Sequence, residues 1–437
     1  MNSLGLEKST EIVELGKRYI PGGVNTSMRA IGIPLAFKRA AGSKLWDADG
    51  NEYIDYHLAF GPEILGHCHP KVNARVFETL ESLDLVGLGT TEEEAKLAEM
   101  ICHCVPSAKQ VLFCNSGSEA TYFAIRLARA VTKRTEIIKF IGCYHGWHDS
   151  VLLSYSSDRS MLGRRDPHSA GMIKEVVSKT HPLTFNDLKG VEKKIRERRG
   201  KIAAVILEPI MHNMGCVMPK IEFLKGLREL TEKNNIILIF DEIITGFRHG
   251  LGGYQKICGV TPDITTIGKS IANGYPLAAI CGREDLMQRF KTAPGGDVFF
   301  AGTYNAHPLS TAAGIATIHA LEDGSAYEHV FALGDQMRKG MKEICENLSL
   351  RAYATGFGSI FVTYFLNPPV ENYTDLLEND GKIDETFRRE MVKRRFLIFP
   401  MSLKRGVISA SHSKEDINDT LNAARKVLEE SALASRH

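Results

Sequence analysis

The chain has 437 residues, enough for one large domain and a smaller one. Its 54 Lys and Arg against 52 Asp and Glu leave a formal charge of +2, too little to draw nucleic acid or an anionic membrane, so small-molecule chemistry is the better expectation. Asn2 to Arg18 is polar and charged, without the apolar core of a signal peptide, and no run of about 18 apolar residues occurs, so a cytoplasmic protein without a membrane span is expected.

In chain order, Lys44–Tyr56 reads as a small hairpin with Asp49-Gly50 as its turn. Apolar or β-branched runs then recur at Gln110–Cys114, Glu136–Ile141, Ala203–Leu207, Ile236–Phe240, Ile264–Ile267 and Leu277–Cys281. Between them, Glu119–Val131, Leu188–Arg199 and Ile221–Lys233 have helical periodicity and the length of crossover helices. The class is therefore α/β, with a mostly parallel sheet covered on both faces. Residues 58–325 form the large domain, 1–57 join the small one, and 326–437 complete it as a charged, helix-rich C-terminal α+β part. Cys114, Cys143 and Cys281 sit in apolar stretches and read as reduced packing residues. Cys102, His103 and Cys104 lack a second ligand pair, so no metal is expected.

Three strand ends carry chemistry. Gln110–Cys114 runs through Asn115 into Ser116-Gly117-Ser118-Glu119, a helix start whose free amides and hydroxyls suit a phosphate dianion; plain N-capping by Ser116 or Ser118 explains the same residues. Ile236–Phe240 ends in Asp241-Glu242, where ligands of open α/β sheets bind, and a buried Asp needs a cationic or donor partner. Ile264–Ile267 ends in Gly268-Lys269; a lysine desolvated there can lose its proton and attack an aldehyde. Together they supply a phosphate grip, a partner for a protonated ring nitrogen and a Schiff-base amine, the parts that pyridoxal 5′-phosphate requires. Tyr144, in Gly142-Cys143-Tyr144-His145-Gly146-Trp147, could lie over the ring or simply pack in the core. Ser157 to Gly171, dense in Ser, Arg, Asp and Gly, reads as a mobile lid.

The segments PGGVNTSMRA, ILGHCHP, NSGSEATYFAIRLAR, GCYHGW, ILEPIMHNMG, IFDEIITGFR, TTIGKS, AGTYNAHPLS and SHSKEDINDTLNAAR, in that order, span nearly the whole chain. Together they resemble the class III, fold-type I pyridoxal-phosphate aminotransferases, in the branch that contains glutamate-1-semialdehyde aminomutase. The resemblance implies that Lys269 forms the Schiff base, Asp241 holds the ring nitrogen, Tyr144 stacks on the ring and Ile243 covers its other face. Ser116, Gly117 and Ser118 would hold the phosphate, Asn213 would face the 3-hydroxyl, Glu208 would shape the pocket, and His145 is counted among the cofactor contacts. Gly302 and Thr303 would complete the phosphate cup of a neighbouring subunit, which implies a homodimer.

The same resemblance points to Arg29 for the substrate carboxylate and to Phe60 as a substrate contact. It also shows departures from the aminomutase pattern. Phe60 stands where a tryptophan is usual, Ile141 where a glutamate is usual, and Ala272-Asn273-Gly274 replace a run of glycines. Lys404-Arg405-Gly406 carries a lysine where the aminomutases have a glutamate. A basic pair favours carboxylates over a diamine, which makes Arg405 a second carboxylate candidate, with a solvated surface charge as its other reading. The reading reached is an aminotransferase working between an amino acid, α or β, and a keto acid. The alternatives are an aminomutase or racemase with the same cofactor, or a catalytically silent relative.

Overall fold

Near-continuous apolar strands must be buried on both faces, and seven of them form one central sheet in the computed structural model, which describes residues 5–434. They are β1 (Gln110–Cys114), β2 (Glu136–Phe140), β3 (Thr180–Leu183), β4 (Ile202–Leu207), β5 (Ile237–Glu242), β6 (Ile264–Ile267) and β7 (Ala278–Gly282). Their order is β1-β7-β6-β5-β4-β2-β3, and β7 runs antiparallel to both its neighbours. All six expected strands are present, with small shifts at their ends. The consequential shift is in β5, which continues through Glu242, so both carboxylates lie inside the sheet rather than beyond it. Periodicity missed β3, a four-residue strand with a histidine and a proline; its edge position, paired only to β2, tolerates that proline.

Alternation along the strands splits the core. Ile137, Ala204, Ile206 and Ile239 pack against Ala124, Ile125 and Ala128 of the helix Gly117–Thr132. Ile138, Val205, Leu238 and Phe240 pack on the other face against Ile195 of Leu188–Glu197 and Phe223 and Leu227 of Ile221–Lys233. Helices thus cover both faces of a mostly parallel sheet, the α/β class expected from the sequence.

The expected hairpin pairs Lys44–Asp47 with Glu52–Asp55, and Asp47 Oδ1 accepts from the amides of Asp49 (3.0 Å) and Asn51 (2.8 Å) to close its turn. Phe37–Ala41 adds a third strand on one side and Phe396–Leu397 a parallel fourth on the other, so the two ends of the chain share a sheet. A second small sheet contains Tyr353–Thr355, Ile360–Tyr364 and Gly406–Val407. Among the described residues no helix is long and apolar enough to cross a membrane.

Arg248, a few residues past β5 and 1 % exposed, ties these parts together. It donates to Ser359 Oγ (3.0 Å), to the carbonyl of Ile408 (3.4 Å) and to that of Gly61. Burial without a carboxylate partner pushes its pKa down to about 9. Replacing Arg248 with Met removes all three donors from buried acceptors, and should cost about 3 kcal/mol. A lower urea midpoint at unchanged slope would register that loss; an unchanged midpoint would contradict the role given to Arg248.

Candidate active site

The carboxyl ends of β1, β5 and β6 and the start of antiparallel β7 meet at one edge of the sheet, around a cavity of about 280 Å³. Ser116, Gly117, Ser118, Tyr144, His145, Glu208, Asn213, Asp241, Ile243 and Lys269 all line it. The three stretches of sequence singled out for chemistry therefore converge on a single space.

Because side chains alternate along a strand, Asp241 and Glu242 turn to opposite sides. Asp241 Oδ2 lies 2.7 Å from His145 Nδ1, and Oδ1 accepts from Thr266 Oγ1 (3.0 Å) and the Ile243 amide (3.2 Å). Thr266 is the residue paired with Asp241 across the β5–β6 ladder. The far ring nitrogen of His145 is buried without a hydrogen-bond partner. Glu242, fully buried, accepts from Thr245 Oγ1 (2.7 Å), from the Gln255 side chain (3.0 Å) and from the Tyr254 and Gln255 amides.

Lys269 follows β6 with a left-handed backbone (φ 46°), which turns the chain sharply at the strand end. Burial pushes its pKa down to about 8, and the Arg405 guanidinium adds to the effect, while Asp241 and Glu208 oppose it. A lysine with its pKa lowered this far can serve as a nucleophile or a base as pH approaches that value.

At the helix start the capping reading is observed for Ser116. Ser116 closes a capping box: its Oγ accepts from the Glu119 amide (3.3 Å) and donates to Glu119 Oε2 (3.0 Å). Its hydroxyl is engaged in the helix cap, and Ser116 lines the cavity as well. The first-turn amides of Gly117 and Ser118 have no carbonyl one turn back, and they remain for an anion together with the Ser118 hydroxyl. Gly146, at φ 110°, passes so close that a Cβ there would sit 2.8 Å from the Ser118 Cα.

Glu208 Oε1 accepts from the Tyr144 amide (2.8 Å) and Asn213 Nδ2 (3.0 Å), and Oε2 from the His212 amide (3.1 Å). Burial holds its carboxyl above the usual range. Tyr144 is braced edge-on by Tyr155, 5.3 Å between centroids.

The outer candidates fall into two groups. Arg405 is no surface charge: it donates to the carbonyls of His212 (3.1 Å) and Phe60 (2.9 Å), its Nε is buried without a partner, and among the described residues it has no ion pair. Lys404 lies beside it, its Nζ 3.0 Å from the Asn213 carbonyl. Neither Phe60 nor Arg405 lines the cavity itself; the Phe60 carbonyl anchors Arg405, and the Phe60 ring packs edge-on against His57 (4.2 Å). Arg29, in the turn Ser27–Arg29, is exposed and does not line the cavity, although its charge is felt by His57. Gly302 and Thr303 are exposed and line no part of their own chain's cavity. The expected lid is tied down rather than loose, by the Tyr373 hydroxyl on the Ser157 carbonyl (2.9 Å), the Arg165 Nε on the Thr180 carbonyl (2.7 Å) and an Arg159–Glu378 ion pair.

Several lining residues were not anticipated: Pro62, Asn115, Gly274, Tyr275 and Leu277. Thr266 was missed too, although a hydroxyl in a buried strand just before Gly-Lys signals a polar partner across the ladder. Among the described residues no group of three or more His, Cys, Asp or Glu is arranged to hold a metal.

Residues 26–395 match the family described as aminotransferase class-III, and the chain belongs to it. It is 42 % identical over 425 residues to a glutamate-1-semialdehyde 2,1-aminomutase of Ignicoccus hospitalis, covering 97 % of this chain and 99 % of that one. Among solved structures, an ω-transaminase from Sphaerobacter thermophilus superimposes with a TM-score of 0.91 at 31 % identity, covering 96 % of this chain and 97 % of the other. A lysine-to-alanine variant of a glutamate-1-semialdehyde aminomutase from Pseudomonas aeruginosa, in complex with PMP, superimposes with a TM-score of 0.87 at 26 % identity, covering 97 % and 94 %. The cofactor is pyridoxal 5′-phosphate. The cavity fits it on its own terms: a buried carboxylate, an unpaired imidazole nitrogen, a helix start with free amides and a neutralisable lysine share one space.

Stripped of cofactor, the protein should take up pyridoxal 5′-phosphate faster as pH rises toward about 8 and level off above it, because only the unprotonated Lys269 amine attacks. Stopped-flow absorbance reads the rate, and Lys269→Ala should lose the phase. A rate flat through that range would deny the depressed pKa.

Proposed function

We propose that this class-III enzyme is an aminotransferase that moves an amino group between an amino acid, α or β, and a keto acid. The observation that carries the reading is Arg405, a half-buried guanidinium whose charge lowers the pKa of Lys269 and which has no ion pair among the described residues. A cation partly withdrawn from water without an ion pair is costly, and a substrate carboxylate is a partner that would offset it. In this reading Arg29 and Phe60 would also contact the substrate.

Pyridoxal 5′-phosphate, when bound, supplies the ring that draws off the electron pair of the breaking bond. Asp241 would hold the ring nitrogen protonated, its own carboxylate fixed by His145 and Thr266. Tyr144 and Ile243 would cover the ring, and Asn213, oriented by Glu208, would take the 3-hydroxyl. Ser116, Gly117 and Ser118 would hold the phosphate, with Ser116 also capping the helix. Lys269 Nζ takes the proton from the amino-bearing carbon of the donor and, in the return half, gives one to the former carbonyl carbon of the acceptor.

The active unit in this reading is a cytoplasmic homodimer in which Gly302 and Thr303 finish the neighbouring subunit's phosphate cup. Its support is the exposure of both residues between Phe299 (61 % exposed) and Tyr304 (60 %), large rings that a partner surface would cover. The sheet shared by both chain ends supports a small domain made of residues 1–57 and 326–437 beside a large one of 58–325.

Intramolecular amino transfer is the rival, favoured by the names of the curated relatives. Glutamate-1-semialdehyde offered without an acceptor decides between them: we expect no sustained 5-aminolevulinate, and steady formation would make the enzyme an aminomutase. Arg405→Ala should raise KM for 2-oxoglutarate about tenfold or more, the effect of one lost charge-assisted contact, with a much smaller change in kcat. An unchanged KM in steady-state assays would remove Arg405 from substrate binding.

A further inference from the structure

Leu58, Ala59, Phe60 and Gly61 have φ of 46°, 53°, 70° and 100°, four left-handed residues in succession, three of them with a side chain. Single left-handed residues are ordinary, but a run of them persists only where the surroundings over-determine it. We propose that Asp55 and the left-handed turn it holds are positioning elements that set Arg405 for a substrate carboxylate. The proposal rests on the reading of Arg405 given above.

The turn is fixed at both ends. Asp55, buried, accepts the amides of His57 (2.7 Å) and Leu58 (3.1 Å) on Oδ1, and its Oδ2 lies 2.8 Å from His67 Nε2. At the far end the Phe60 carbonyl accepts from Arg405, and the Gly61 carbonyl from Arg248 and from Ser270 Oγ (3.3 Å), the neighbour of Lys269. Between them the Leu58 side chain is fully buried, while Ala59 is exposed at the apex.

What the strained backbone provides is a carbonyl aimed at Arg405 where the chain could have placed a carboxylate. A guanidinium has five N–H donors; here one is given to Phe60 and one to His212, so the group is oriented from two sides. Carbonyls orient it without cancelling its charge, so the charge stays available to an incoming anion. An extended or right-handed path through Ala59 would redirect the Phe60 carbonyl and leave His212 as the remaining anchor.

Succinate, a dicarboxylate that has neither an amine nor a carbonyl to react, serves as the probe, with its Kd read from the absorbance of the holoenzyme. Ala59→Val places a β-branched residue at a left-handed site without touching the core. Ala59→Gly keeps the turn accessible. Asp55→Ala removes the clamp, whereas the amide oxygen of Asp55→Asn can still accept both backbone amides. Ala59→Val and Asp55→Ala should each weaken succinate about fivefold or more and raise KM for 2-oxoglutarate in parallel, with kcat within about twofold, as loss of one anchoring hydrogen bond predicts. Ala59→Gly and Asp55→Asn should bind like the unchanged enzyme. If Asp55→Ala does not fold, the exposed Ala59 pair carries the comparison alone. Succinate binding kept in Ala59→Val but lost in Arg405→Ala would overturn the positioning role; binding equal in the unchanged enzyme and Arg405→Ala would instead overturn the reading of Arg405 itself.

Discussion

Two carboxylates in succession at the end of a buried strand impose the demands that the surrounding structure answers. Left unpaired, either would be too costly to keep ionised away from water. Glu242 is met by four donors from Thr245, Tyr254 and Gln255, which draws the chain after β5 back over the end of the sheet. Asp241 is met on the opposite side by His145, Thr266 and the Ile243 amide. One carboxylate therefore anchors the fold and the other faces the cavity, and strand alternation is what allows neighbours to do both.

The cations are arranged differently. Arg248, Lys404 and Arg405 have no ion pair among the described residues, and backbone carbonyls hold them instead. Burial brings Lys269 and Lys404 each down to about 8 and Arg248 to about 9. Dipoles fix position without removing charge, so Arg248, Lys404 and Arg405 keep their charge behind the lining, while Asp241 and Glu208 line the cavity itself. The left-handed backbone from Leu58 to Gly61, each non-glycine residue of which costs roughly 1–2 kcal/mol, supplies two of those carbonyls. The strain is offset in part by the Asp55 clamp and by the buried Leu58 side chain.

Much of this was legible because it follows from local pattern. Asp241 and Lys269 stand at the ends of apolar runs, and strand ends in a parallel sheet share an edge, so their meeting could be argued from order alone. What was not legible depends on register or on distant partners. Thr266 touches Asp241 only because the β5–β6 ladder pairs them, and a shift of one residue would turn it away. Asp55 and Arg248 act through backbone groups of segments remote in the chain, which no composition or period encodes. Ser116 was half legible: its spacing to Glu119 announces a capping box, but which hydroxyl the cap consumes is a matter of geometry. Arg405 was ambiguous for a related reason, since a charged residue after a loop looks alike whether it faces water or a carbonyl.

Residue 404 shows why one departure from a family pattern bears on chemistry. Its Nζ donates to the Asn213 carbonyl (3.0 Å), and its charge acts favourably on Glu208, which in turn orients the Asn213 side chain. A glutamate there would confront a carbonyl oxygen and a second buried carboxylate, so it would demand another course for the Asn213 backbone or a cation in between. The lysine is thus coupled to the conformation of the residues that line the cavity, and it adds positive charge beside Glu208 and Asn213.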